Sequence, residues 1–202
     1  MSRSKRTVIH VSPTAPLLLA LFVMASSPLL LAALLLAAVL HELGHYWMLR
    51  RLHARVTALH ITALGAEMQV AGRLSYGGEV LAAAAGPAVN LLLALLLGLG
   101  GRLWEVLYLF SGAQLVLGAF NLLPIPPLDG GSILWNLAAW LTEPYTADRV
   151  AAVVGFGMAA VLTLGAAAAL WMGGSPFLLL AAAALLWHAL RQIGVAKPPQ
   201  NR

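Results

Sequence analysis

The chain alternates long apolar stretches with short polar ones. A helix that crosses a bilayer needs about 20 mostly apolar residues, and this pattern predicts about six transmembrane helices. They cover approximately residues 13–27, 29–49, 80–99, 107–123, 150–172 and 176–192. The first stretch follows three basic residues and has an alternative interpretation as a signal peptide. The predicted fold class is therefore an all-α polytopic membrane protein.

Two polar stretches interrupt the spans. Residues 50–79 are too polar for the bilayer core, and their β-branched residues and glycines predict a small β-hairpin at 56–70 on the cytoplasmic side. Residues 124–149 contain three prolines followed by a Gly-Gly pair. Because proline removes a backbone donor and breaks helices, we expect irregular backbone there, where the fourth span ends.

The composition excludes a water-soluble protein. Hydrophobic residues make up 61% of the 202 residues and charged residues only 9%, whereas soluble domains hold roughly 45–50% apolar and about 25% charged residues. The same values exclude intrinsic disorder. Because there is no cysteine, the chain has no disulfide and no thiolate, and any metal must be held by His, Asp or Glu.

The basic residues indicate membrane topology. The net charge of +5 does not point to a nucleic-acid partner, because the Lys and Arg residues lie between apolar runs. Cytoplasmic loops of membrane proteins carry an excess of Lys and Arg. With a cytoplasmic N-terminus, 11 of the 12 basic residues lie inside and only Arg102 lies outside. We therefore predict an integral membrane protein with both termini in the cytoplasm.

The second predicted span contains the motif His41-Glu42-Leu43-Gly44-His45. Residues four apart share one helix face, about 6 Å apart along the axis, so the two histidines can bind one zinc ion while Glu42 reaches a water molecule at the metal. Ionisable residues inside a bilayer cost roughly 2.5–3.5 kcal/mol each and usually mark a functional site. The alternative is a polar patch that hydrogen-bonds neighbouring helices.

Asp129 is the candidate for a third ligand, because a catalytic zinc site normally has three protein ligands. It lies at the end of the fourth span, where prolines and glycines would let a carboxylate turn inward. His45 lies about 7–8 Å and His41 about 14 Å inside the cytoplasmic boundary, a depth that Asp129 also reaches. The alternative role of Asp129 is to cap a helix that begins at Ser132.

Three motifs together give a family resemblance. They are the His-Glu-x-x-His helix, Gly86-Pro87-Ala88-Val89-Asn90, and Asn121 through Asp129-Gly130-Gly131. With them the chain resembles the site-2 protease family (peptidase M50) of intramembrane zinc metalloproteases, above all the bacterial branch that contains stage IV sporulation protein FB. The resemblance implies a single metalloprotease domain over residues 1–202, with a catalytic core at about 30–140 and two extra spans at about 150–192.

The resemblance also implies a reaction. One zinc ion per chain would be held by His41, His45 and Asp129, with Glu42 as the general base. The substrate would be a transmembrane or membrane-tethered protein, cut near the cytoplasmic face. A bacterial cell membrane and an unidentified membrane inhibitor or regulator are implied as well.

Three further residues are candidates for contact with the substrate. The resemblance implies that Asn121 and Pro127 place the substrate backbone. Asn90 or Asn121 would donate to the developing oxyanion, or alternatively bond a neighbouring helix.

The chain departs from many relatives of this family. Only 40 residues separate His45 from Gly86 and only 71 follow Gly131, so neither a PDZ nor a CBS domain is expected. Other functions stay open. A divalent-metal transporter would show a polar path through several helices, and a di-iron oxidase would need more histidines than the six present. A non-catalytic membrane scaffold would have no need of Glu42 beside both motif histidines.

Overall fold

The computed structural model describes residues 8–12, 27–62 and 65–195. Within these residues the chain forms three strands and six helices. They belong to two compact units, the first ending at Phe120 and the second beginning at Asn121. In chain order the elements are β1 (Val8–Val11), α1 (Pro28–Arg51), β2 (Arg55–Thr62), β3 (Gly65–Ala71), α2 (Tyr76–Gly100), α3 (Val106–Asn121), α4 (Asp129–Leu141), α5 (Pro144–Trp171) and α6 (Pro176–Val195).

Small residues bring α1 and α2 close together in the first unit. Buried residues recur every three or four positions along α1, and all but His41 of this set are small: Ala33, Ala37, His41 and Gly44. Small residues are also buried on α2, among them Ala82, Ala85 and Gly86. A Cβ added at Gly44 would lie 2.7 Å from the carbonyl oxygen of Ala85. Within a bilayer such close packing replaces the hydrophobic drive that brings helices together in water.

The ends of α1 explain where this helix starts and stops. The hydroxyl of Ser27 accepts a hydrogen bond from the Leu30 amide at 3.3 Å, and Pro28 occupies the first turn, where its missing N–H costs nothing. Arg50 and Arg51 lie in the last turn. Their charges favour the negative end of the helix dipole and the water outside the bilayer.

The predicted hairpin is present. Strands β2 and β3 pair antiparallel, from Arg55 opposite Ala71 to Thr62 opposite Gly65. The pattern did not predict β1, which pairs parallel with the other edge of β2 and stacks His10 on His60, with ring centroids 4.7 Å apart. Four residues at the start of the chain carry too little periodicity to predict a strand.

The second unit contains α4, α5 and α6. Its core is built on Ile125, Leu128, Ala159, Leu185 and Ala189. The Trp135 indole also donates to Asp148 at 2.6 Å, which joins α4 to the start of α5.

The irregular backbone expected where the fourth predicted span ends is present over residues 122–128, between α3 and α4. The rest of the segment is largely helical. Helix α4 covers residues 129–141 and α5 already begins at Pro144. The three prolines lie in the turn before α4, and Pro144 lies in the first turn of α5, a position that tolerates proline. None of them therefore interrupts a helix.

Three described helices are long and apolar enough to cross a membrane: Pro28–Arg51, Tyr76–Gly100 and Pro144–Trp171. Two shorter apolar helices, Val106–Asn121 and Leu178–Arg191, match the predicted spans at 107–123 and 176–192. Of the predicted first span at 13–27, residues 13–26 lie outside the described residues. Large apolar side chains remain exposed along these helices, such as Leu92, Leu95 and Leu96 on α2, as a lipid solvent requires.

Candidate metal centre

Helix α1 brings the two motif histidines together. Because they are four residues apart, their rings lie one above the other, with centroids 4.7 Å apart and an interplanar angle of 79°. Their Nε2 atoms are 3.0 Å apart. His41 is buried, with 5% of its surface exposed. The pair thus directs two imidazole nitrogens at one point.

The hydrogen bonds of Asn90, on α2, define the tautomer of His41. Asn90 has no exposed surface, and its Nδ2 donates to the Ala37 carbonyl at 3.2 Å and to Oε1 of Gln114 on α3. Its Oδ1 therefore faces His41, 2.5 Å from Nδ1. Because that oxygen only accepts, Nδ1 carries the proton and Nε2 keeps its lone pair.

His45 has the same tautomer for a similar reason. Its Nδ1 lies 2.8 Å from the carbonyl oxygen of Ala82 on α2, which can only accept. Both histidines therefore present unprotonated Nε2 atoms toward each other. A cation placed at both atoms would stabilise this arrangement, and an N–H donated to a carbonyl or amide oxygen is the usual support of a metal-bound histidine.

Gly86 packs directly against the rings of His41 and His45. A Cβ built at this position would lie 2.3 Å from Nε2 of His45 and 2.9 Å from Cε1 of His41. No larger residue fits without moving the imidazoles. These contacts explain why a glycine is needed at this point of α2.

Asp129 is the first residue of α4 and is half-buried. The turn before it is tight, since a Cβ at Gly130 would lie 2.2 Å from the Leu122 carbonyl oxygen. The Leu128 amide also donates to the Ile125 carbonyl at 2.8 Å. These contacts fix the backbone on both sides of Asp129, from which its carboxylate extends.

Each predicted ligand can offer one atom to a metal ion. Among the described residues, the candidate group of His, Asp or Glu side chains is His41 and His45, on α1, with Asp129 at the first position of α4.

The other predicted residues have varied surroundings. Glu42 is half-buried on α1, directly after His41. Asn121 is the last residue of α3 and is half-buried, while Pro127 is exposed in the turn before α4. Asn90 donates both amide hydrogens to acceptors on the neighbouring helices α1 and α3. These contacts correspond to its alternative role, a bond to a neighbouring helix.

Sequence reasoning missed Gln114, which is 1% exposed and bonds Asn90. The available signal was a polar amide in the middle of an apolar span, which usually has a polar partner on another helix. Sequence reasoning also missed the Ala82 carbonyl, which no sequence pattern identifies.

The sequence of the chain is similar to that of known proteases. Residues 99–165, which include Asp129, match the family model described as Peptidase family M50. A zinc metalloprotease of Methanocaldococcus jannaschii is 27% identical to this chain over 138 residues, which are 65% of this chain and 40% of that protein. This chain therefore spans well under half the length of its curated relative.

The fold also matches a solved structure. A site-2 protease from Methanocaldococcus jannaschii superposes with a TM-score of 0.69 at 24% sequence identity, covering 96% of this chain and 93% of the other. The predicted fold class, an all-α polytopic membrane protein with a small β-hairpin, is confirmed.

Proposed function

Since the chain carries a peptidase family M50 match and has the site-2 protease fold, we propose that it is an intramembrane zinc metalloendopeptidase. The observation that carries the proposal is the pair of Nε2 atoms of His41 and His45, 3.0 Å apart. We propose Asp129 as the third ligand. We propose that its substrate is a membrane-embedded or membrane-tethered protein, cleaved near the cytoplasmic face.

The donor set fits zinc. Two nitrogens bound to one tetrahedral zinc ion at 2.0–2.1 Å lie about 3.3 Å apart, close to the 3.0 Å between the histidine nitrogens. Two imidazoles and a carboxylate leave a fourth position open, as catalytic zinc sites require. Zinc bound there would lower the pKa of a coordinated water toward 7 and polarise the scissile carbonyl.

The residues of this chain divide the remaining work. We assign Glu42 as the general base, whose carboxylate accepts a proton from the attacking water and returns it to the leaving amine. Its position beside His41 and its partial burial support that assignment. Asn121, at the end of α3, and Pro127, in the turn before α4, are proposed to hold the substrate backbone.

A substrate helix must unwind before it is cut, because each carbonyl in it is bonded to the amide four residues later. We propose that the unwound segment adds as a strand to β3. The sheet order supports this edge, since β1 covers the other side of β2 and, within the described residues, β3 pairs with β2 alone.

The test separates zinc binding from cleavage. The purified chain in lipid nanodiscs is analysed for zinc, and its cleavage of a tagged single-span substrate is measured. We expect one zinc ion per chain in the wild type and in Glu42→Gln. Cleavage by Glu42→Gln should fall about 10²–10⁴-fold, the usual contribution of a general base. His45→Ala should lose both the zinc ion and the cleavage activity.

Glu105→Gln is the matched control, because it removes the same charge at an exposed position before α3; it should keep both zinc and activity. A wild type that holds no zinc contradicts the proposal. A wild type and a Glu42→Gln variant that both carry zinc across sealed vesicles would indicate the divalent-metal transporter instead. Full cleavage by Glu42→Gln would exclude its role as base.

A further inference from the structure

We propose that Gln114 is a positioning residue for the metal centre: acting through Asn90, it holds His41 in the tautomer that can bind metal. The inference rests on the proposed function, in which His41 is a ligand. It adds α3 to the elements that support the proposed ligands, beside α2, whose Asn90 and Ala82 bond the two histidines.

The amide of Asn90 could lie in either of two orientations, and its partners select one. In the observed orientation its two N–H groups meet two acceptors, Oε1 of Gln114 and the Ala37 carbonyl. In the flipped orientation Oδ1 would face the Ala37 carbonyl oxygen. Nδ2 would then face Nδ1 of His41, which would have to accept, and the His41 proton would move to Nε2.

The position of the proton decides whether the site can bind metal. A metal ligand must offer an unprotonated nitrogen, and His41 offers Nε2 only while Nδ1 donates to Asn90. Gln114 supplies one of the two acceptors that maintain this arrangement. Because Asn90 has no exposed surface and Gln114 is 1% exposed, water cannot replace the missing acceptor, and a buried N–H without a partner is costly.

The close packing around this chain of bonds keeps its members in place. A Cβ added at Gly118, one turn after Gln114 on α3, would lie 2.9 Å from Cβ of Asn90 and 3.3 Å from the Pro87 carbonyl oxygen. The helices α2 and α3 therefore meet where the two amides bond. This close contact holds the two backbones together beside the bonded amides.

The test compares zinc affinities by chelator competition in nanodiscs. Gln114→Met, which removes the acceptor at similar volume, should weaken zinc binding about tenfold, the lower end of the 10–100-fold that outer partners of a ligand contribute. Ser111→Ala is the matched control on the same helix, because it removes a different bond to α2, from Ser111 to the Ala94 carbonyl at 2.7 Å. It should leave the affinity unchanged.

A double-mutant cycle distinguishes positioning from general packing. If Gln114 acts through Asn90, Gln114→Met should have no further effect on zinc affinity in the Asn90→Ala background. Additive effects, or an unchanged affinity in Gln114→Met, would overturn the inference. A wild type without zinc affinity would instead refute the proposed function.

One measurement needs no variant that might misfold. In zinc-free wild-type protein labelled with ¹⁵N-histidine, the side-chain nitrogen shifts of His41 report its tautomer. We expect a protonated Nδ1 and an unprotonated Nε2. The opposite tautomer would refute the inference, even if Gln114→Met proved too unstable to purify.

Discussion

Each histidine of the metal centre has two ring nitrogens, and the hydrogen bond on one of them determines the use of the other. For His41 that bond goes to an amide side chain of α2, and for His45 it goes to a backbone carbonyl of the same helix. A carbonyl oxygen cannot change its role, whereas an amide can turn over. His41 is therefore the proposed ligand whose orientation depends on further neighbours.

Gly86 is the residue at which a single methyl group should disable the centre. In Gly86→Ala the new Cβ would lie 2.3 Å from Nε2 of His45, so the ring must move away from the metal position. We expect the zinc content to fall well below one ion per chain and cleavage to fall at least about 100-fold, the loss that a displacement of about 1 Å can cause.

Elemental analysis and the cleavage assay measure both effects in the same preparation. Gly112→Ala is the control, because a Cβ at that position of α3 has no atom within 4 Å. Normal zinc content in Gly86→Ala would show that the rings can shift without losing the metal, which contradicts this account.

The crossing of α1 and α2 is the main feature at the level of elements. Helices in a bilayer gain little from burying apolar surface against each other, so close backbone contact carries much of their association. Gly44 meets the Ala85 carbonyl at this crossing, and the histidines bond α2 from the neighbouring turns of α1. The same crossing thus holds the fold and orients the ligands.

Gly44→Ala should destabilise this crossing. The added Cβ would lie 2.7 Å from a backbone oxygen, which cannot rotate away as a side chain would. We expect the free energy of unfolding to fall by about 1–3 kcal/mol, the usual cost of overpacking, measured by denaturant titration in mixed micelles. Gly157→Ala on α5, where a Cβ has no atom within 4 Å, should change it little. Equal stabilities of the two variants would refute the close-contact explanation.

The orientation of the whole molecule in the membrane is a prediction from its charges. Only Arg102 of the 12 basic residues falls on the outer side in this arrangement. Because the chain has no cysteine, a single introduced cysteine reports its side without background. Ala71→Cys, at the end of β3, and Leu103→Cys, between α2 and α3, replace exposed residues.

An impermeant thiol reagent added to intact bacterial cells that express the chain should label Leu103→Cys and leave Ala71→Cys unlabelled until the cells are opened. This follows because cytoplasmic segments retain most Lys and Arg. The reverse pattern would place both termini outside and the metal centre near the outer face.

Much of the architecture follows from local pattern. Apolar length predicted α1, α2, α3, α5 and α6, and β-branched residues predicted the hairpin of β2 and β3. Helix α4 and strand β1 were not predicted. Proline is tolerated both in a loop before a helix and in the first turn of a helix. The prolines near α4 therefore did not indicate whether a loop continues there or a helix begins. Strand β1 exists through its pairing with β2, more than 40 residues later.

The candidate site divides in the same way. The sequence by itself determined that His41, Glu42 and His45 share one turn of an apolar helix, because spacing within a helix sets which side chains are neighbours. It also singled out Asp129 from the few acids available. Only the tertiary structure decided that Asn90 and the Ala82 carbonyl bond the imidazoles, that Gln114 bonds Asn90, and that Gly86 packs against the rings. These contacts join helices far apart in the chain, and packing between helices, rather than local periodicity, sets them.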